Sequence, residues 1–187
     1  MAEPQRGGLI CVVGGESTGK STLAAALGAR LPAVVVPEFL RSWVDQRGRV
    51  PRPDEQAAVL AAHREAELAA LHQAGRAGSP WVVSDSGPLM TAVYSIQYYQ
   101  DASLLPLAVQ WAAHSTAVVW CQADFPWQPD EQRDGSQARA ASQQILADVF
   151  AAHPNLRVLA VEGPLQERVQ TVVRLLGGEG SVGLSSP

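Results

Sequence analysis

Five short apolar runs punctuate the chain: Leu9–Val13, Ala33–Val36, Trp81–Ser84, Ala117–Cys121 and Arg157–Val161. They are rich in Val, Leu and Ile and show little strict alternation, the pattern of strands buried on both faces. Between them the spacing of apolar and polar positions predicts helices over Lys20–Arg30, Glu38–Gln46, Asp54–Ala74, Leu89–Tyr98, Leu104–His114, Gln137–Ala152 and Leu165–Leu176. Pro53 reads as the start signal of the third helix and Gly75 as its stop. Strands alternating with helices imply an α/β domain with a parallel sheet covered on both faces. Chemistry then belongs just beyond the carboxyl ends of the strands. The stretch Phe125–Gly135, rich in Pro, Trp, Asp and Gln, interrupts the rhythm and reads as a lid spanning about 124–139. Residues 1–8 form a polar lead-in, 177–187 a small-residue tail, and 9–176 a single domain.

Composition narrows the partners. The 187 residues carry a net charge of −4, and Lys20 is the only lysine, so no basic run exists for a nucleic-acid backbone. No apolar stretch reaches the ~18 residues of a membrane span, and no signal-peptide core precedes the first strand. The expectation is a cytoplasmic protein with neither membrane nor nucleic acid as partner. Cys11 and Cys121 lie in strand-like runs and read as buried thiols. The four histidines, His63, His72, His114 and His153, are scattered and read as surface or helix-end residues.

The strongest chemistry follows the first strand. Gly14-Gly15-Glu16-Ser17-Thr18-Gly19-Lys20-Ser21 satisfies G-x-x-x-x-G-K-[ST] without a mismatch, and Thr22 continues into a helix. Strand, glycine loop and helix make a phosphate cradle: backbone N–H groups and the helix dipole face the anion. Lys20 reaches the β- and γ-phosphates, and the Ser21 hydroxyl is placed to ligate Mg²⁺. The fold expected is therefore that of a P-loop NTPase, a three-layer sandwich with a five-stranded parallel sheet and a small lid, using ATP and Mg²⁺.

Other strand ends supply candidates. Glu38 follows the second strand, where a carboxylate can take a proton from a substrate hydroxyl or hold a sugar, or can cap the next helix. Arg41 lies one turn on, on the same face. Asp85 follows the third strand as a Walker B aspartate would, supporting Mg²⁺; otherwise it is a turn residue. The lid offers Asp124, Trp127, Asp130, Arg133, Asp134 and Arg139. Its arginines either close over the transferring phosphate or are ordinary surface charges, and Trp127 either stacks on a flat ring or plugs a groove. Arg168, after the glycine turn of the last strand, is a neighbour of the nucleotide base or of the lid.

Taken together these pieces resemble the ribosylnicotinamide kinase domain, usually fused behind a nicotinamide-nucleotide adenylyltransferase. The family's G-G-E-S-S-G-K-S is similar to Gly14–Ser21. Its E-Y-x-R-E is similar to Glu38-Phe39-Leu40-Arg41-Ser42, and its D-T-D-x-x-T-T to Asp85-Ser86-Gly87-Pro88-Leu89-Met90-Thr91, with Ile96-Gln97-Tyr98 after it. Its W-V-x-D-G-x-R is similar to Trp127–Arg133, and its D-R-x-x-x-V to Glu167–Val172. The resemblance implies transfer of the γ-phosphate of ATP to the 5′-hydroxyl of nicotinamide riboside. Lys20 and Ser21 would hold phosphates and metal, Asp85 would support Mg²⁺ and Glu38 would handle the riboside. Arg133 would serve the transition state, and Trp127 would lie near the base. The readings beside it are a P-loop kinase for another small molecule and a regulatory ATPase without an acceptor. Two departures stand out. Gly87 replaces the family's second acidic residue, and the chain starts just before its first strand, implying a kinase served by a separate adenylyltransferase.

Overall fold

A computed structural model describes residues 8–126 and 136–177. Its five strands are β1 (Gly8–Val13), β2 (Val34–Val36), β3 (Trp81–Asp85), β4 (Ala117–Cys121) and β5 (Val158–Val161), all parallel, in the order β2-β3-β1-β4-β5. The helices are α1 (Lys20–Arg30), α2 (Phe39–Arg47), α3 (Gln56–Ala77), α4 (Gly87–Tyr99), α5 (Leu105–Ala112), α6 (Ser136–Ala152) and α7 (Leu165–Gly177).

The apolar runs are continuous because β1 divides its side chains between two cores. Ile10 and Val12 pack with Leu23, Leu27 and Val172 of α1 and α7. Cys11 and Val13 pack with Leu60, Leu89, Val109 and Leu146 of α3 to α6. Burying a Val or Leu side chain in this way contributes roughly 1.5–3 kcal/mol, so the central strand is the most firmly held element of the sheet. The register aligns Val12 with Asp85 and Val36 with Ser84. The carboxyl ends of β2, β3 and β1 therefore finish together, and the loops that carry the chemistry leave from one edge. Both cysteines are free and buried, as their setting implies. Among the described residues, no helix is long and apolar enough to cross a membrane.

Three expectations change. Gly75 does not stop α3. The helix runs to Ala77 and Gly78 ends it at φ 71°, with the Ser79 N–H returning to the Ala74 carbonyl at 3.0 Å. A left-handed residue closes the last turn and Pro80 prevents continuation. Pro53 opens a short 3-10 turn, Pro53–Glu55, and α3 proper begins at Gln56. His63 is not a surface residue: it is 2% exposed, and its Nε2 lies 3.1 Å from the Ser84 hydroxyl. Its ring meets Phe39, centroids 6.3 Å apart, and so helps seat α2, which buries no residue fully.

Burial lowers the pKa of His63 to about 4. Above an unfolded value of ~6.5 neither state holds the proton, so stability is unaffected there. As pH falls from about 6.5 to about 4, the unfolded chain takes up a proton that the folded chain refuses, and about 3 kcal/mol is lost. Urea unfolding across that window is expected to show this decline in the wild type and to show it flattened in His63→Gln. Glu67, whose carboxyl burial raises, titrates with the opposite sign in both proteins and cancels in the comparison.

Candidate nucleotide and acceptor site

The phosphate loop folds around the peptide of Gly15. The Gly15 carbonyl accepts from the Lys20 ammonium at 2.9 Å and from the Thr18 hydroxyl at 2.8 Å. Thr18 is fully buried and Lys20 nearly so, whereas Ser21 and Thr22 are exposed on the first turn of α1. Gly14 and Gly19 take positive φ values of 149° and 81°, which a side chain would oppose. Gly15 is required by close approach: a Cβ there would lie 2.7 Å from the Arg139 carbonyl of α6.

Arg168 underpins this loop from α7. It is 2% exposed, and its guanidinium donates to the Thr18 carbonyl at 2.8 Å, the Gly163 carbonyl at 2.8 Å, the Gln122 carbonyl at 3.4 Å and the Asp124 carboxylate. Asp124 in turn accepts from the Gly163 N–H. The Arg168 guanidinium also lies over the Phe125 ring, 4.4 Å from its centroid. These contacts make it a brace for the loop, and it walls a cavity of about 380 Å³ with Ser17, Gly19, Thr22, Phe125, Pro126 and Leu165. The recess opens beside the phosphate loop and combines the Phe125 ring, Pro126 and Leu165 with the polar side chains of Ser17, Thr22 and Arg168.

The residues that the sequence offers for an acceptor lie across the strand ends. Asp85 is buried beside Val12, and the Ser86 N–H bonds the Val12 carbonyl at 2.8 Å, so β3 delivers its carboxylate next to the loop. Glu38 occupies the N-cap position of α2 but makes no side-chain capping bond. The N-cap position keeps its carboxylate at the positive end of the helix dipole without a capping hydrogen bond. The Glu38 side chain is 13% exposed and pairs with Arg41 Nε at 3.6 Å. Burial, then the charges of Glu38, Glu16, Tyr98 and Asp85, drive the Tyr94 hydroxyl well above its ordinary range. Tyr98 stands beside Tyr94, ring centroids 6.2 Å apart, and is exposed.

Gly87 proves to be a core position. Its φ is +54°, and a Cβ there would lie 2.4 Å from Cys11 Sγ and 3.5 Å from the Glu67 carboxylate. A side chain at 87 would enter the layer beneath β1, where α3 already supplies a buried acid ion-paired to Arg64 at 3.0 Å. Gly87→Ala is expected to cost about 1–3 kcal/mol through overpacking and a left-handed backbone, read as a lower urea midpoint at unchanged slope.

Trp127, Asp130 and Arg133 lie outside the described residues, as does Asp134. Arg139 is engaged with the protein, donating to the Phe125 carbonyl at 2.8 Å. The sequence reading passed over Gln143, Tyr94 and Phe125. Gln143 and Tyr94 sit mid-helix, where one polar or aromatic residue carries no local signature, and only the sheet brings them to the loop.

Residues 9–168 match the family model described as AAA domain. No curated protein sequence matches the chain. Among solved structures the chain is similar to the NadR protein in complex with NR, at 18% identity and a TM-score of 0.75 over 97% of this chain and 53% of that one. It is similar to the NadR protein in complex with NAD and AMP-PNP, at 19% and 0.73 over 97% and 52%. It is also similar to deoxyadenosine kinase from M. mycoides with its products bound, at 11% and 0.62 over 91% and 99%. The chain spans about half the length of the NadR chains it matches. The fold is that of P-loop nucleoside and nucleotide kinases: a five-stranded parallel sheet with helices on both sides. From the first buried strand to the arginine that braces the phosphate loop, the chain belongs to the AAA domain family.

Proposed function

We propose that the chain is a kinase that moves the γ-phosphate of ATP to the 5′-hydroxyl of nicotinamide riboside, giving the mononucleotide. The observation that carries the reading is the phosphate loop, with the Lys20 ammonium on the Gly15 carbonyl, at the sheet edge where β3 ends in the buried Asp85 and Glu38 opens α2. A donor cradle and carboxylates on one edge are the two halves that a phosphotransfer site needs. Nicotinamide riboside carries a cationic pyridinium ring, which carboxylates and the faces of Tyr94 and Tyr98 favour. The likeness in fold to NadR in complex with NR supports the same acceptor.

In this reading the loop N–H groups and Lys20 hold the β- and γ-phosphates. Glu38 accepts the proton of the attacking hydroxyl, with Arg41 orienting its carboxylate. The Ser21 hydroxyl and the Asp85 carboxylate are hard oxygen donors that fit Mg²⁺, which when bound neutralises charge on the β- and γ-phosphates. The base lies in the recess of Phe125 and Arg168. Roles for Trp127, Asp130 and Arg133 at the acceptor and the transferring phosphate rest on the sequence resemblance.

A second acceptor class stays in view because the match to deoxyadenosine kinase covers 99% of that chain. Incubation with ATP, Mg²⁺ and a panel of nucleosides, following ADP release, separates the readings. Stimulation chiefly by nicotinamide riboside is expected. Stimulation chiefly by a deoxynucleoside would move the acceptor, and ADP release indifferent to every nucleoside would indicate an ATPase.

A further inference from the structure

Helix α6 is fastened to the phosphate loop through one side chain. The Gly15 N–H donates to Gln143 Oε1 at 3.1 Å, and the indole N–H of Trp120 donates to the same oxygen at 2.8 Å. The amide's other end, Nε2, donates to the Cys121 carbonyl at 3.0 Å. Two donors meet the oxygen and one carbonyl meets the nitrogen, so the amide has one orientation that satisfies all three. The same helix offers the Arg139 carbonyl 2.7 Å from where a Gly15 Cβ would stand.

Gly15 is therefore a hub. Its carbonyl is held by Lys20, the residue that grips phosphate, and its N–H is held by Gln143. A phosphate in the cradle competes with the Gly15 carbonyl for the donors of the Lys20 ammonium and changes the pull on that peptide. A ligand shifts a structure only through such a differential interaction.

We propose that Gln143 is a positioning residue that couples phosphate binding at Lys20, through the Gly15 peptide, to the placement of helix α6. The proposal rests on the nucleotide-binding half of the reading above and is independent of the acceptor.

Hydrogen exchange of the α6 amides in the full chain, with and without AMP-PNP, tests it, together with the AMP-PNP Kd. In the wild type the analogue is expected to slow exchange in α6 by about tenfold, a coupling of ordinary size. Gln143→Met, of similar volume, is expected to lose that response and, by reciprocity, to weaken AMP-PNP binding by no more than about the same tenfold. Trp120→Phe removes the other donor to that oxygen while leaving the Gln143–Gly15 bond, and is expected to retain the response, which controls for a merely structural tie between α6 and β4. Persistence of the response in Gln143→Met, its loss in Trp120→Phe, or its absence in a wild type that binds the analogue would each overturn the proposal. A wild type that fails to bind AMP-PNP overturns the nucleotide reading and this coupling with it.

Discussion

Glu38→Gln is expected to leave ATP binding intact and to lower kcat by about 10²–10⁴, the contribution of a positioned general base. The substitution keeps the size of the side chain and removes its basicity. Glu38 makes no side-chain capping bond, so the substitution removes no hydrogen bond from the start of helix α2. Its contact is with Arg41 on the same helix, so the change does not reach the phosphate loop. The loss corresponds to about 2.7–5.4 kcal/mol of barrier and should fall on turnover, with KM for ATP unmoved. Steady-state kinetics varying each substrate in turn decide the matter. A kcat within about threefold of the wild type would remove Glu38 from proton transfer, because a base worth keeping contributes far more.

Arg168→Met is expected to cost about 2–4 kcal/mol of folding stability, the size of losing several buried hydrogen bonds to one guanidinium together with its pair to a partly exposed carboxylate. The side chain is as buried as a core leucine, yet it serves three carbonyls and a carboxylate at once. Methionine fills much of the volume and serves none of them. Thr18 belongs to the phosphate loop, so the same change is expected to raise KM for ATP. Pairing it with Asp124→Asn should recover part of the stability, since the carboxylate is then no longer left without its partner. Urea unfolding of the two single variants and the double variant measures the coupling. A loss below about 1 kcal/mol would place Arg168 among ordinary surface pairs.

The main architecture was legible because its signals are local. Four-to-five-residue apolar runs fit strands buried on both faces, and the glycine-lysine loop is contiguous in the chain. Lys20–Arg30 was bounded correctly, since a loop of fixed geometry sets its start. Gly75 misled because a glycine in open space is tolerated inside a long helix, and the stop depends on Ser79 and Pro80 beyond Gly78. His63 misled because a lone histidine has no sequence mark for burial; its partner, Ser84, is 21 residues away. Gln143 is 128 residues from Gly15, and Arg168 150 from Thr18, so no spacing rule connects them. On the motif alone Gly87 is only a departure from the family's second acidic residue. The backbone turns that position inward to Cys11, a direction that only φ reveals.

The central claim is that this phosphate loop serves a kinase whose acceptor is nicotinamide riboside. The most direct test is ³¹P NMR with mass analysis of the product after incubation with ATP, Mg²⁺ and that nucleoside. A phosphomonoester on the 5′-oxygen, formed one for one with ADP, is expected. ADP without a phosphorylated nucleoside, or a product no greater than in the reaction lacking protein, would contradict it.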